Sequence, residues 1–135
     1  IPNLLVQEVS DAIRDTESTV IYACNLMTKL GETAGYGAST FASEVLRYIG
    51  GRKLDYFLVN STKFTDDVLD VYSAEDAQPV ELDYAGAEEF ANEILVSDLA
   101  YVDGLTVRHN SERLARIVMA TVEQPVKNTL GTGLE

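Results

Sequence analysis

Thr19-Val-Ile-Tyr-Ala-Cys24 is a run of β-branched, aromatic and small residues with the length and composition of a buried β-strand. Ser39–Ile49 follows it with the apolar spacing of a helix, and Gly50-Gly51 is placed to end that helix. Tyr56-Phe-Leu-Val-Asn60 predicts a second strand. Because strands alternate with helices, the connections cross over, which favours a parallel pairing. The predicted fold class is α/β, with three layers and a mostly parallel sheet covered by helices on both faces.

Candidate N-cap residues and short apolar runs predict the remaining helices and strands. Asn3 is a candidate N-cap for a helix over Leu4–Asp15, and Asn110 is a candidate N-cap for a last helix. The first of these helices is predicted to turn Leu5, Val9, Ala12 and Ile13 inward, and the last to turn Leu114, Ile117, Val118 and Thr121 inward. The other predicted elements are a helix from Thr65 to Tyr72, a short strand over Pro79–Leu82, a helix from Asp83 to Ala91 and a weaker strand over Glu93–Val96.

The apolar pattern fades from Gln124 onward. We therefore expect one α/β unit over residues 1–122 and a poorly structured tail over residues 123–135. The closing Leu134-Glu135 is a candidate cloning remnant.

Net charge restricts the classes of function. The 135 residues carry 22 Asp and Glu against 10 Lys and Arg, a formal net charge of −12. Such a surface repels phosphate backbones and anionic lipid, so we expect no nucleic-acid partner and no membrane insertion. The single cysteine, Cys24, has no partner for an internal disulfide, and no signal peptide is visible. Both features favour a cytoplasmic protein.

The segment that leaves the first strand, Cys24-Asn-Leu-Met-Thr-Lys-Leu-Gly-Glu-Thr-Ala-Gly-Tyr36, is rich in polar side chains and glycines. Ligands of open α/β sheets bind outside the carboxyl ends of the strands, which is where this loop is expected. Its candidate ligand-binding residues are Asn25, Thr28, Glu32 and Thr33. The alternative is a long polar connection that uses its glycines for turning, and the spacing does not decide between the two.

A second candidate segment is Val107-Arg-His-Asn-Ser-Glu112, just before the last predicted helix. The first N–H groups of a helix attract an anion, and Arg108 would add a bidentate contact to a phosphate. The alternative is that Arg108 pairs with one of the many carboxylates and that His109 is an ordinary loop residue.

The sequence supplies little material for catalysis. Cys24 and His109 have no spacing that suggests a nucleophile and its base, and burial is the usual environment of a free cysteine. One histidine and one cysteine give no zinc or iron site. We predict no catalytic residue, no metal site and no cofactor.

Several stretches occur in the same order in a known family. They are Ile1-Pro-Asn-Leu-Leu-Val6, the block Val20–Thr28 with Gly31-Glu-Thr33 and Gly35-Tyr36, then Pro79-Val80 and Val107-Arg-His109. On these residues the chain resembles the CofD-like family, and within it the bacterial gluconeogenesis (morphogenesis) factors more than the 2-phospho-L-lactate transferases. The resemblance implies a Rossmann-like fold. Full-length members begin with a glycine-rich phosphate loop that is not present here, so we expect the C-terminal portion of a longer protein, with its N-terminal part as a partner.

The resemblance also implies a function and a set of contacts. Its bacterial branch binds a UDP-activated amino sugar, UDP-N-acetylglucosamine, and supports cell-wall synthesis and morphogenesis during gluconeogenic growth. The family's ligand contacts in this region correspond to Tyr72 and Arg108, and Ser111 stands where the family can carry a phosphorylated threonine. Family members usually continue Gly-Tyr with Ser-Asp-His, whereas this chain has Ser39-Thr40-Phe41, which weakens a catalytic interpretation.

Two alternatives to a nucleotide-sugar regulator stay open. One is a transferase that moves a phospholactyl group onto a deazaflavin precursor, and the other is a structural half-domain without a ligand of its own. The strand edge and apolar faces that the missing part would cover lead us to expect a homo-oligomer.

Overall fold

The computed structural model of the protein describes residues 2–123, and the predicted tail beyond Glu123 lies outside the described residues. A 3-10 helix, Pro2–Leu5, comes first. The elements that follow are α1 (Gln7–Asp15), β1 (Ile21–Ala23), α2 (Ala38–Ile49), β2 (Leu54–Asn60), α3 (Asp66–Ser73), α4 (Tyr84–Ala87), β3 (Ala91–Ser97), β4 (Ala100–Asp103), β5 (Thr106–His109) and α5 (Ser111–Glu123). Among these residues, no helix combines the length and the apolar composition needed to cross a membrane.

A parallel sheet with the order β1-β2-β3 forms the centre of the fold. Tyr22 of β1 pairs with Phe57 of β2, and Leu58 of β2 pairs with Leu95 of β3. The rings of Tyr22 and Phe57 also stack, with their centroids 5.4 Å apart. Helices flank the sheet, so the predicted α/β class with a mostly parallel sheet is confirmed.

The core lies between α2 and the sheet. Phe41, Val45 and Ile49 of α2 are buried, as the helical spacing predicts, and they belong to one cluster with Leu54 and Phe57 of β2. Burying each such side chain contributes about 1.5–3 kcal/mol relative to leaving it exposed. Gly50 ends α2 with a φ of 71°, a conformation that disfavours other residues.

The first predicted helix is shorter than expected. Its first turn is the 3-10 helix, and α1 begins only at Gln7 with Val6 at the N-cap position, so Asn3 does not cap it. The predicted inward face is also wrong in part, because Leu5 and Val9 are exposed. Ser10 is buried in their place, and its hydroxyl donates to the Leu4 carbonyl at 2.6 Å.

Pro79–Leu82 is not a strand of the sheet. Its backbone groups are taken by other partners: the N–H of Val80 donates to the Leu26 carbonyl at 3.0 Å, and the Glu81 carbonyl accepts the N–H of Ala38 at 2.9 Å. Only one antiparallel bridge, between Met27 and Pro79, is formed. The segment therefore holds the β1–α2 loop instead of extending the sheet.

The helix predicted from Asp83 to Ala91 is reduced to the single turn of α4, because Ala91 already pairs in β3. The strand predicted at Glu93–Val96 is confirmed and is longer, since β3 runs from Ala91 to Ser97. It also pairs with β2 along most of its length, so it is a full member of the sheet.

A hairpin made by β4 and β5 is absent from the sequence prediction. Its strands pair Asp103 with Thr106 across a two-residue loop, in which Gly104 has a φ of 64°. Gly104 at the first position of this loop is the turn signal that could have revealed it. The hairpin places Arg108 and His109 in a strand and not in a loop, which corrects the sequence interpretation.

The last helix is as predicted. The Asn110 side chain accepts the N–H of Arg113 at 3.1 Å, which is the hydrogen bond of an N-cap. On its inward face Leu114, Ile117 and Val118 are half-buried and Thr121 is buried.

Candidate functional site

The carboxyl ends of the three parallel strands meet at one edge of the sheet, and the Asn60 side chain organises that edge. Asn60 is the last residue of β2. Its side-chain oxygen, Oδ1, accepts hydrogen bonds from the Thr62 hydroxyl at 2.7 Å and from the N–H of Leu99 at 2.9 Å. The Thr62 hydroxyl in turn contacts the Asp98 carboxylate, which also pairs with Arg113 of α5. The start of the hairpin is thereby attached to the end of β2.

A cleft of about 480 Å³ opens at this edge, between the loop that follows β1 and the end of α3. Its lining residues are Asn25, Met27, Thr28, Lys29, Leu30, Tyr72, Glu75 and Ala77. Three residues that the sequence analysis selected, Asn25, Thr28 and Tyr72, therefore lie together. Lys29, Leu30 and Glu75 are not among the ligand-binding candidates from the sequence, although Lys29 and Leu30 belong to the same polar loop after β1.

The polar groups of Thr28 form hydrogen bonds with the backbone of another segment of the protein. Thr28 is buried, its N–H donates to the Gln78 carbonyl at 2.8 Å, and its hydroxyl accepts the N–H of Gln78 at 3.0 Å. Both polar groups thus serve to join the β1–α2 loop to the segment after α3.

Glu32 and Thr33 do not line the cleft. The Thr33 hydroxyl accepts the N–H of Lys29 at 2.8 Å and closes a tight turn, while the exposed Glu32 carboxylate lies 2.9 Å from the Lys29 ammonium. Asn25 is exposed, and its side-chain oxygen accepts the Tyr22 hydroxyl at 3.3 Å. Of the four loop residues, Asn25 keeps the most freedom to meet a ligand.

Tyr72 and Arg108 are linked through the backbone. The Tyr72 ring lines the cleft, and its hydroxyl accepts the N–H of Val107, the residue before Arg108, at 2.8 Å. Arg108 itself lies on β5, with 59% of its side chain exposed, and its Nε is 3.9 Å from the Asp103 carboxylate. An exposed pair at that distance contributes little, so Arg108 stays available to a stronger anion.

Arg108 is followed by His109, the last residue of β5, and by Asn110, the N-cap of α5. Ser111 is the first helical residue and is exposed. The order along the chain is as predicted, and anion binding by Arg108 together with the first N–H groups of α5 stays a prediction.

Cys24 is buried in the core, which confirms its predicted environment, and burial raises the pKa of its thiol to about 12. His109 approaches the backbone of this residue and not its sulfur: Nε2 lies 3.3 Å from the Cys24 carbonyl oxygen. The two side chains do not form a nucleophile–base pair. Within residues 2–123, no three His, Cys, Asp or Glu side chains gather as a metal site would require.

A second cleft, of about 680 Å³, lies between the segment after β2 and the segment after α3. Asn60, Ser61, Thr62 and Lys63 line one side of it, and Gln78, Pro79 and Glu81 line the other. None of these residues is among the candidates from the sequence. For residues 60–63, the position at the end of a buried strand is the signal that could have identified them.

Known proteins match the chain over most of its length. A family model described as the 2-phospho-L-lactate transferase CofD matches residues 1–100. A Thermotoga maritima protein provisionally named a gluconeogenesis factor is 38% identical over 121 residues, which make up 87% of this chain and 38% of that protein. The gluconeogenesis factor of Listeria monocytogenes is 31% identical over 89% of this chain and 36% of its own length.

Solved structures share the fold as well. Two crystal structures of a Bacillus halodurans protein, one described as a UPF0052 family member, superpose with a TM-score of 0.82. They are 29% identical to this chain over 87% of its length, and the chain covers 38% of each of them. The chain thus spans between about a quarter and two fifths of the length of the relatives it matches. With a family model that matches residues 1–100, the chain belongs to the CofD family.

Proposed function

We propose that the protein binds a nucleotide sugar, UDP-N-acetylglucosamine, and acts as a regulator of cell-wall synthesis and morphogenesis during gluconeogenic growth. The gluconeogenesis factors among its relatives support the link to gluconeogenic growth, while the part on cell-wall synthesis and morphogenesis follows from the family resemblance. The first half rests on the cleft at the carboxyl edge of the sheet.

One observation carries the proposal: the Tyr72 ring lines the cleft while its hydroxyl is attached to the strand that bears Arg108. An aromatic face can stack on a base, and a guanidinium can grip a phosphate with two parallel hydrogen bonds. Asn25 and Lys29 add an amide and a cation at the rim of the same cleft. Arg108 lies on the attached strand and not among the residues that line the cleft, so the proposal puts the base beside Tyr72 and a phosphate at the guanidinium.

The net negative charge of the protein affects how it can bind an anionic ligand. A chain with a net charge of −12 repels a nucleotide sugar at long range, so binding depends on local cations. Lys29 is partly neutralised by Glu32, whereas Arg108 has, among residues 2–123, only the long contact to Asp103. Arg108 is therefore the cation on which we expect phosphate recognition to depend most.

A transferase of phospholactyl groups is the second candidate function. The observation that favours it is the description of the matching family model as a 2-phospho-L-lactate transferase. The regulator is preferred because the relatives that match most of this chain are named gluconeogenesis factors and not transferases. A structural half-domain without a ligand is the third reading, and a cleft lined by Asn25, Lys29 and Tyr72 argues against it.

Calorimetric titration of the full-length protein with UDP-N-acetylglucosamine tests the proposal. We expect saturable binding that Tyr72→Ala and Arg108→Ala both weaken, while Arg47→Ala, which removes an exposed arginine on α2, leaves it unchanged. Absence of binding by the folded full-length protein contradicts the proposal. Turnover of a lactyl-phosphate donor by the same protein establishes the transferase instead.

A further inference from the structure

Strand β5 is held to the rest of the protein on both sides of Arg108. The N–H of Val107 donates to the Tyr72 hydroxyl at 2.8 Å, and His109 Nε2 lies 3.3 Å from the Cys24 carbonyl oxygen. Burial alternates along the strand, so that Val107 and His109 are half-buried and Arg108 between them is exposed. The two residues that flank Arg108 are therefore anchored, one to α3 and the other to the end of β1.

The contact of His109 has a defined chemistry. A carbonyl oxygen only accepts hydrogen bonds, so Nε2 must carry the proton that is shared with Cys24. Cys24 is buried, and its own N–H donates to the Leu58 carbonyl at 2.9 Å. The imidazole is thus attached to a buried, hydrogen-bonded residue at the end of β1, directly before Asn25.

The base of the hairpin lies at this point. His109 is opposite Ala100 in the register of the two strands, and the N–H of Asn110 donates to the Leu99 carbonyl at 2.7 Å. Arg108 is one residue from this base, so a displacement of His109 is transmitted to it through a single peptide unit.

From this geometry we infer that His109 is a positioning residue for Arg108: by donating to the Cys24 carbonyl, it fixes β5 against the end of β1 and thereby sets where Arg108, on the opposite face of the strand, meets a phosphate of the ligand. This inference rests on the proposed function. It assigns His109 no contact with the ligand and no part in proton transfer.

A double-mutant cycle on the full-length protein tests the inference, with UDP-N-acetylglucosamine as the titrant. We expect His109→Ala to weaken binding about threefold to tenfold, the effect of losing one hydrogen bond. In a protein that already carries Arg108→Ala, the same change has an effect below about twofold, because nothing is left to position. His109→Gln restores most of the affinity, since its amide can donate to the same carbonyl. Thr106→Ala, on the exposed side of the same strand, is the matched control and leaves affinity unchanged.

Hydrogen exchange of the unliganded protein supplies a second readout. We expect His109→Ala to accelerate exchange at the amides of β4 and β5 and to leave α2 and β2 unchanged. Equal effects of His109→Ala with and without Arg108, or unchanged exchange in the hairpin, overturn the positioning role. If the wild-type protein does not bind the nucleotide sugar, the proposed function is wrong, and the exchange experiment still decides whether His109 holds the strand.

Discussion

The carboxylate of Asp83 accepts the backbone N–H of Ser39 at 2.8 Å and contacts the hydroxyl of the same residue. Ser39 lies in the first turn of α2, whose N-cap residue is Gly37 and has no side chain. A residue 44 positions along the chain therefore caps this helix. A Cβ added at Gly37 would lie 3.1 Å from the Asp83 carboxylate, so the glycine keeps this approach open.

The first prediction concerns this cap. Asp83→Ala lowers the free energy of unfolding by about 0.5–2 kcal/mol, the usual cost of losing an N-cap, and Asp83→Asn costs less because an acceptor oxygen remains. Urea denaturation of the full-length protein measures both. Glu89→Gln, which removes another exposed carboxylate from the segment before β3, is the control. Equal stability of wild type and Asp83→Ala would show that the contact is not a cap.

The same carboxylate makes this stability depend on pH. Burial acts to raise the pKa of Asp83, but the hydrogen bonds from the Ser39 hydroxyl and N–H, with one from its own backbone, together lower it below its usual value. The contribution is therefore present above the ordinary aspartate pKa of about 4 and is lost as the pH falls below it. Denaturation series should show the advantage of wild type over Asp83→Asn shrinking below about pH 4. An advantage that persists at lower pH contradicts the assignment.

A second prediction separates structure from binding at Thr28. Thr28→Val keeps the shape but removes the acceptor of the Gln78 N–H, which costs about 0.5–1.5 kcal/mol, the usual net contribution of one hydrogen bond. Thr28→Ser retains the hydroxyl and should be close to wild type in thermal denaturation. If Thr28→Val abolishes ligand binding without lowering stability, the hydroxyl contacts the ligand directly.

A third prediction is that the Cys24 thiol is inert in the folded protein. Burial raises its pKa to about 12, so the nucleophilic thiolate is almost absent at pH 8. Labelling with a disulfide reagent should occur only as fast as the protein unfolds. Because the folded pKa is raised, wild type should also lose stability relative to Cys24→Ala as the pH rises from about 8.5 toward 12. Rapid labelling of the native protein is the contrary result.

The last prediction gives the size of the Arg108 contact. Arg108→Ala should weaken binding of UDP-N-acetylglucosamine by about tenfold to 150-fold, since a charge-assisted hydrogen-bond pair contributes roughly 1.5–3 kcal/mol. Arg108→Lys should restore only part, because a point charge does not reproduce the planar fork of the guanidinium. Uridine, which has no phosphate, should bind both variants as well as it binds wild type. Unchanged affinity for the nucleotide sugar in a folded Arg108→Ala variant removes Arg108 from the site.

Local patterns account for what the sequence predicts well. The apolar spacing of Phe41, Val45 and Ile49 is the spacing of a helix that buries one face, and that face packs on β2 as expected. Asn110 caps a helix that begins one residue later, which is an interaction within a single turn. The resemblance in the block Val20–Thr28 is confirmed by the family match, and the same block forms β1 and the start of the cleft.

The amino-acid sequence by itself determined the α/β class, the family, the burial of Cys24 and the presence of a polar loop after β1, because each of these depends on composition or on residues a few positions apart. Only the tertiary structure decided what the polar side chains do. Thr28 meets Gln78 across 50 positions, Ser39 meets Asp83 across 44, and Tyr72 meets Val107 across 35. Such partners are chosen by how the elements pack, and no periodicity along the chain encodes that choice. For this reason the sequence predicts Thr28 as a ligand contact without revealing that its N–H and hydroxyl bond to Gln78, and it predicts a loop at Arg108 where the structure has a hairpin strand.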